Sequence, residues 1–182
     1  MLVMLINLIF SLYGMAVLLR ILFQFIKADY FNPLSQTIAK LTNYPCRQIN
    51  RLAPRKLPID ISAIILFLIV EIVKLLMIEW ISVGMVTVLG ILTATISDSI
   101  YQLLNLYFYI IFIVSLASWI APERPHPSLI LLKKLADPVL DLVRRIIPPF
   151  HNIDFSPLIV LILIKLIELI VLMPFLGAVG IG

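Results

Sequence analysis

Apolar positions gather into four long stretches, separated by segments where charge and proline return. The first runs from about Leu2 to Ile26 and carries a single charge, Arg20, near its end. The second runs from about Ile61 to Trp80 and contains Glu71 and Lys74. The third, from about Ile100 to Ile120, is uncharged, and the fourth, from about Phe155 to Met173, contains Lys165 and Glu168. Each is close to the ~20 residues that cross a ~30 Å hydrocarbon core at ~1.5 Å per residue. The pattern predicts helices, because lipid offers no partner to backbone groups left unpaired. The first stretch lacks a basic leader and a small-residue cleavage site, so it is expected to be a retained span.

A fifth apolar piece, Ile81 to Ile96, is 16 residues long with two glycines, slightly short for a crossing. Charge decides its fate. Lys27, Lys40, Arg47, Arg51, Arg55 and Lys56 fill the segment after the first stretch, and Arg124, Lys133, Lys134, Arg144 and Arg145 fill the segment before the fourth. Glu79 to Ser99 has no Lys or Arg. The positive-inside rule places both basic segments in the cytoplasm, which requires an even number of crossings between them. The fifth piece is therefore expected not to span. It lies at the outer interface, re-enters, or extends a neighbouring helix, and both termini face out. Trp80 and Trp119 fall at span ends, where interfacial tryptophans belong.

Composition agrees. Of 182 residues, 62% are hydrophobic and 13% charged, with a net charge of +4. A soluble domain is nearer ~45–50% apolar and ~25% charged, and a disordered chain is polar. The single cysteine, Cys46, excludes an internal disulfide and reads as a plain small residue.

The chain also repeats itself at a constant offset of 94 from Gln24 onward: Pro33 meets Pro127, Lys40 meets Lys134, Arg51 meets Arg145, Pro54 meets Pro148, Asp60 meets Asp154 and Ser62 meets Ser156. Each unit is a helix, a basic segment and a second helix. Two crossings per unit make the copies insert in the same direction, related by a pseudo-twofold axis along the membrane normal.

Within the basic segments, apolar residues recur near helical spacing, at Leu34, Ile38, Leu41 and Ile49 and at Leu129, Leu132, Leu135, Val139, Leu142 and Ile146. Lys133, Lys134, Asp137, Asp141, Arg144 and Arg145 largely fill the other side, with Asp141 and Arg145 placed to pair at i and i+4. Such amphipathic helices lie in the headgroup region of an anionic leaflet. Lys40, Arg51, Lys133, Lys134, Arg144 and Arg145 are the expected lipid- or partner-facing cations. Nucleic acid is not expected, since aspartates interrupt the cations and no aromatic stacking set accompanies them. Asp60 with Ser62, and Asp154 with Ser156, read as helix caps rather than metal ligands.

At the repeat offset Glu71 maps to Lys165 and Lys74 to Glu168, with the signs exchanged. A charge at mid-span costs about 2.5–3.5 kcal/mol, so these four should pair. Each helix can pair its own charges at i and i+3. If the second helices of the two units pack together, Glu71 faces Lys165 and Lys74 faces Glu168 in a buried four-membered network. The competing reading lines an ion or proton pathway with them. Arg20 is placed to snorkel toward phosphates. Metalloprotease, nucleophile-elbow, P-loop and dinucleotide signatures are all missing from the sequence, which holds two histidines, His126 and His151. No catalytic, metal or cofactor site is expected.

The strings NPLSQTIAKLT, INRLAP and PIDIS, echoed by LKKLADPVLDLVRRIIP and NIDFSPL, resemble the YggT (also YlmG) family of small bacterial and plastid membrane proteins. The first half departs from the second, with Asn50-Arg51 against Arg144-Arg145 and with Pro45 one position out of register with Pro138. The resemblance implies an inner-membrane protein without known catalysis, linked to osmotic tolerance, cell division or nucleoid distribution, and in plastids to cytochrome maturation. The expected architecture is all-α, with four transmembrane helices in two parallel repeats, 1–80 and 98–182, joined by an apolar outer-face connector, 81–97. The expected role is a non-enzymatic assembly or scaffold protein that meets anionic phospholipid and a membrane or cytoplasmic protein partner, with self-association left open. The alternative is a small ion or solute conduit used in osmotic adjustment.

Overall fold

The computed structural model describes residues 1–51, 61–82, 87–120, 126–148 and 154–172. Among these residues every regular element is helical. They are α1 (Leu2–Phe25), α2 (Pro33–Asn50), α3 (Ile61–Ser82), α4 (Val88–Ile120), α5 (Pro127–Arg144) and α6 (Ser156–Ile167), the last continuing as a π-helical turn over Glu168–Leu172. Among the described residues, three helical stretches are long and apolar enough to cross a membrane: Leu2–Phe25, Ile61–Ile81 and Val88–Ser118. The fourth apolar stretch is helical from Ser156 to Leu172.

The connecting helices start where their sequences supply caps. Asn32 Oδ1 accepts from the Leu34 amide at 3.0 Å, and Pro33 occupies the first helical position of α2. His126 Nδ1 accepts from the Ser128 amide at 3.2 Å, and Pro127 opens α5. In both cases the proline sits where a missing N–H harms nothing. Pro45 and Pro138 stand inside α2 and α5, where each removes one ladder hydrogen bond.

Residues 88–96 of the fifth apolar piece belong to α4. Of the placements left open by the sequence, extension of a neighbouring helix is the one found for them. At 33 residues α4 is about 50 Å long, well beyond a ~30 Å core.

Packing follows the repeat. α1 meets α2 and α3, and α2 meets α3; likewise α4 meets α5 and α6, and α5 meets α6. Between the two sets, α4 lies against α3 and α1, and α2 touches α5. The core is apolar, built around Val17, Phe67, Ile111, Leu135 and Val160. Leu5, Leu8, Ile9 and Leu12 of α1 are each more than half exposed, as suits a surface solvated by lipid. Trp80 is exposed near the end of α3, while the Trp119 side chain lies outside the described residues.

Candidate functional site

Polar residues enter the bundle along one face of α4. Thr95, Asp98, Gln102 and Asn105 recur at helical spacing and turn inward; Thr95, Gln102 and Asn105 are buried, and the Asp98 side chain is 14% exposed. Two polar nodes form on this stripe.

The first joins α3 to α4. Lys74 Nζ lies 2.7 Å from Glu71 Oε2, one helical turn back, and ion-pairs with Asp98 across the interface. Gln102 Nε2 donates to Glu71 Oε1 at 2.7 Å. Lys74 and Glu71 are 1% and 0% exposed and Asp98 stands at the edge of the node, so the set holds one more carboxylate than ammonium. Gly14 of α1 closes it from behind. A Cβ there would stand 2.6 Å from Gln102 Oε1 and 3.1 Å from Glu71 Oε1. A side chain at this position would force the Gln102 amide to shift.

The second node joins α6 to α4. Lys165 Nζ donates to Glu168 Oε2 at 2.7 Å and to Asn105 Oδ1 at 3.3 Å, and sits 4.5 Å from the Phe108 ring centroid. Asn105 is three residues after Gln102, so the nodes are about 4.5 Å apart along α4. The α-to-π transition falls at Glu168, a departure that allows a side chain to be re-aimed.

The four charges expected in the membrane are thus paired, but not as one network. Each helix satisfies its own i and i+3 pair and then reaches α4. The expected contacts of Glu71 with Lys165 and of Lys74 with Glu168 are not formed. α4 packs on both α3 and α6, which share no extended contact with each other among the described residues. Asp98, Gln102 and Gly14 were missed by sequence reasoning. The signal was the one-face spacing of Thr95, Asp98, Gln102 and Asn105, hidden because Asp98 precedes the uncharged stretch.

At the end of the bundle that carries α2 and α5, polar contacts bind the connecting helices to the spans. Arg20 Nη1 donates to Thr42 Oγ1 at 2.8 Å and Asn43 Oδ1 at 2.7 Å, fastening α2 to α1. Asn32 Nδ2 donates to the Pro127 carbonyl at 2.8 Å, so the N-termini of α2 and α5 meet. Arg144 corrects an expectation. Its guanidinium, expected as a free surface cation, is engaged by carboxylates. Nε and Nη2 donate to Asp154 Oδ2 at 2.9 and 2.7 Å, and Nη1 donates to Asp141 Oδ1 at 2.8 Å. Asp141 therefore pairs with Arg144 rather than with Arg145. Partial burial pushes the Asp154 carboxyl up, but hydrogen bonds from Ser156 and pairing with Arg144 outweigh it and hold it below the ordinary range. Asp154 Oδ1 accepts from the Ser156 amide at 2.9 Å, which begins α6. Ser62 and Ser156 are both buried in the first turns of α3 and α6; Asp60 lies outside the described residues.

Lys40, Arg51, Lys133, Lys134 and Arg145 are exposed on or just after α2 and α5. Comparison with known proteins now fits this layout. The family model described as CCB3/YggT matches two segments, residues 1–81 and 93–175. The chain belongs to the CCB3/YggT family. An uncharacterized protein of Haemophilus influenzae is 32% identical over 157 residues, covering 86% of this chain and 83% of its own. The YggT protein of Escherichia coli K12 is 30% identical over 169 residues, covering 91% and 86%. A Vibrio alginolyticus protein named for the proC 3′ region is 30% identical over 165 residues, covering 87% and 86%. None of these YggT-family names states an activity or an enzyme class. No solved structure matches the chain.

Proposed function

We propose that this YggT-family chain is a non-enzymatic assembly protein of the bacterial inner membrane. It crosses four times, with α1, α3, α4 and α6 as spans and both termini on the outer face. α2 and α5 are amphipathic and lie at the cytoplasmic surface, where they meet anionic phospholipid and a protein partner. Osmotic tolerance or cell division is the physiological setting attached to this role.

One observation carries the reading. Five cations, Lys40, Arg51, Lys133, Lys134 and Arg145, stay exposed on two helices whose N-termini are tied by Asn32 and Pro127, while the charges within the bundle are committed to one another. A basic surface held at fixed geometry suits recruitment, adding about 1 kcal/mol per cation near an anionic leaflet. Photo-crosslinkers placed at Lys133 and at Arg145 test it in cells. Capture of one defined protein from both positions is the expected result; lipid alone at both would contradict a protein-docking role.

A second reading, ion conduction, is favoured by the buried stripe on α4 and the π-helical turn beside it, where Gln102 Oε1 and Glu168 Oε1 respectively are buried without a hydrogen-bond partner among the described residues. Purified protein in liposomes decides between them. Flux abolished by Lys74→Leu would replace the assembly reading with the conduit.

A further inference from the structure

A cleft of about 240 Å³ opens between the last turns of α1 and the first turns of α2. Its wall carries two cations, Arg20 and Lys27, and no carboxylate among the described residues. Arg20 is oriented by its bonds to Thr42 and Asn43. Lys27 is held in a left-handed conformation, φ 49°, where a helix-terminating turn ordinarily has glycine. Its amide bonds back to Gln24 O at 3.1 Å and that of Ala28 to Phe23 O at 2.8 Å, which completes the turn around it. Ser35 lines the cleft from the first turn of α2, is 9% exposed, and its Oγ has no hydrogen-bond partner among the described residues. Phe23 and Ile38 supply an apolar wall.

We propose that this cleft binds the phosphodiester headgroup of one anionic phospholipid. Arg20 and Lys27 supply the positive charge, and the Ser35 hydroxyl donates to a phosphate oxygen. The apolar wall selects lipid over free phosphate, because the cleft lies between a span and a helix at its end, where an acyl chain leaves a headgroup. The site belongs to the first half alone. At the repeat offset, Lys27 and Ser35 are replaced by Ala121 and Leu129, and Asn43 by Asp137. The inference rests on the membrane reading above only in placing this end of the bundle among headgroups; it does not require a protein partner.

Native mass spectrometry of the purified full chain in detergent, with phosphatidylglycerol added, tests it. One lipid retained per chain is expected, and about fivefold weaker retention in Lys27→Gln, the share of a single cation. Ser35→Ala should weaken it as well. Arg47→Gln removes the same charge from α2 outside the cleft and should leave retention unchanged. The Lys27→Gln chain should keep wild-type thermal stability without lipid, which separates binding from folding. No retained lipid on the wild type would overturn the proposal. Equal losses from Arg47→Gln and Lys27→Gln would overturn it by showing diffuse attraction. Displacement by millimolar inorganic phosphate would overturn the lipid assignment in favour of a soluble anion. Any of these failures leaves crosslinking from Lys133 and Arg145 unaffected, so the two readings fall separately.

Discussion

Replacing Lys74 by methionine probes the buried node most sharply. Lys74 is 1% exposed and sets a single ammonium between two carboxylates, Glu71 at 2.7 Å and Asp98 across the α3–α4 interface. Methionine conserves volume and shape, so packing is nearly preserved. What changes is charge: two buried carboxylates are left facing each other. Breaking a buried ion pair by removing one partner costs about 3–5 kcal/mol. For a chain of this size ~1 kcal/mol shifts the melting temperature by about 2–4 °C, so Lys74→Met should lower Tm by roughly 6–20 °C. Asp98→Asn is the contrasting change. It removes the excess carboxylate, keeps the shape and leaves the Lys74–Glu71 pair intact, so its effect should stay within about 1 kcal/mol. The fully neutral triple variant, Glu71→Gln with Lys74→Met and Asp98→Asn, should return close to wild type, since a buried pair replaced by matched neutral groups is often without penalty. Thermal unfolding in one detergent, followed by near-UV circular dichroism, measures all three. A Lys74→Met chain within 2 °C of wild type would refute the reasoning, as would an Asp98→Asn chain that falls equally far.

Further outcomes follow from the same geometry. Gly14→Ala drives a methyl to within 2.6 Å of Gln102 Oε1 and should destabilise by about 1–3 kcal/mol, an effect relieved in a Gln102→Ala background when the double-mutant cycle is measured by melting. Exchanging the partners of the second node, Lys165→Glu with Glu168→Lys, should recover much of what Lys165→Glu loses, whereas Glu71→Lys with Lys165→Glu should not rescue, because those two are not in contact; expression level in membranes reports both. Asp154 has a lowered folded-state pKa, so its contribution is fully present above the ordinary carboxylate range and is lost as pH falls through the lowered value; Asp154→Asn should flatten that acid limb in a pH series of melting curves. Asn32→Ala removes the α2 cap and the link to Pro127 and should cost about 0.5–2 kcal/mol in the same assay.

Much of the architecture was readable from the chain because it depends on local signals. Lipid-length apolar runs mark α1, α3 and most of α4, and Pro33 and Pro127 mark the starts of the two 18-residue connecting helices. The i and i+3 pairs, Glu71 with Lys74 and Lys165 with Glu168, were equally legible, since one helical turn sets them. Neighbour choice was not. Whether α3 meets α6 or α4 is settled by side-chain packing between distant segments, and Gly14 admits α1 against that interface without any signature beyond a lone glycine. Asp98 was hidden for a related reason, because it falls between the fifth apolar piece, which ends at Ile96, and the uncharged run that begins at Ile100, and so belongs to neither pattern although α4 runs through both. Arg144 reads as a free surface cation until the fold carries Asp154 back to it from ten residues downstream.

The central claim is that two copies of one helical hairpin enter the bilayer the same way up, with α2 and α5 in one compartment. Paired reporters, one fused at position 50 and one at position 140, measure this in living cells: the account predicts that both read cytoplasmic. A reporter at 50 on one side of the membrane and a reporter at 140 on the other would contradict it.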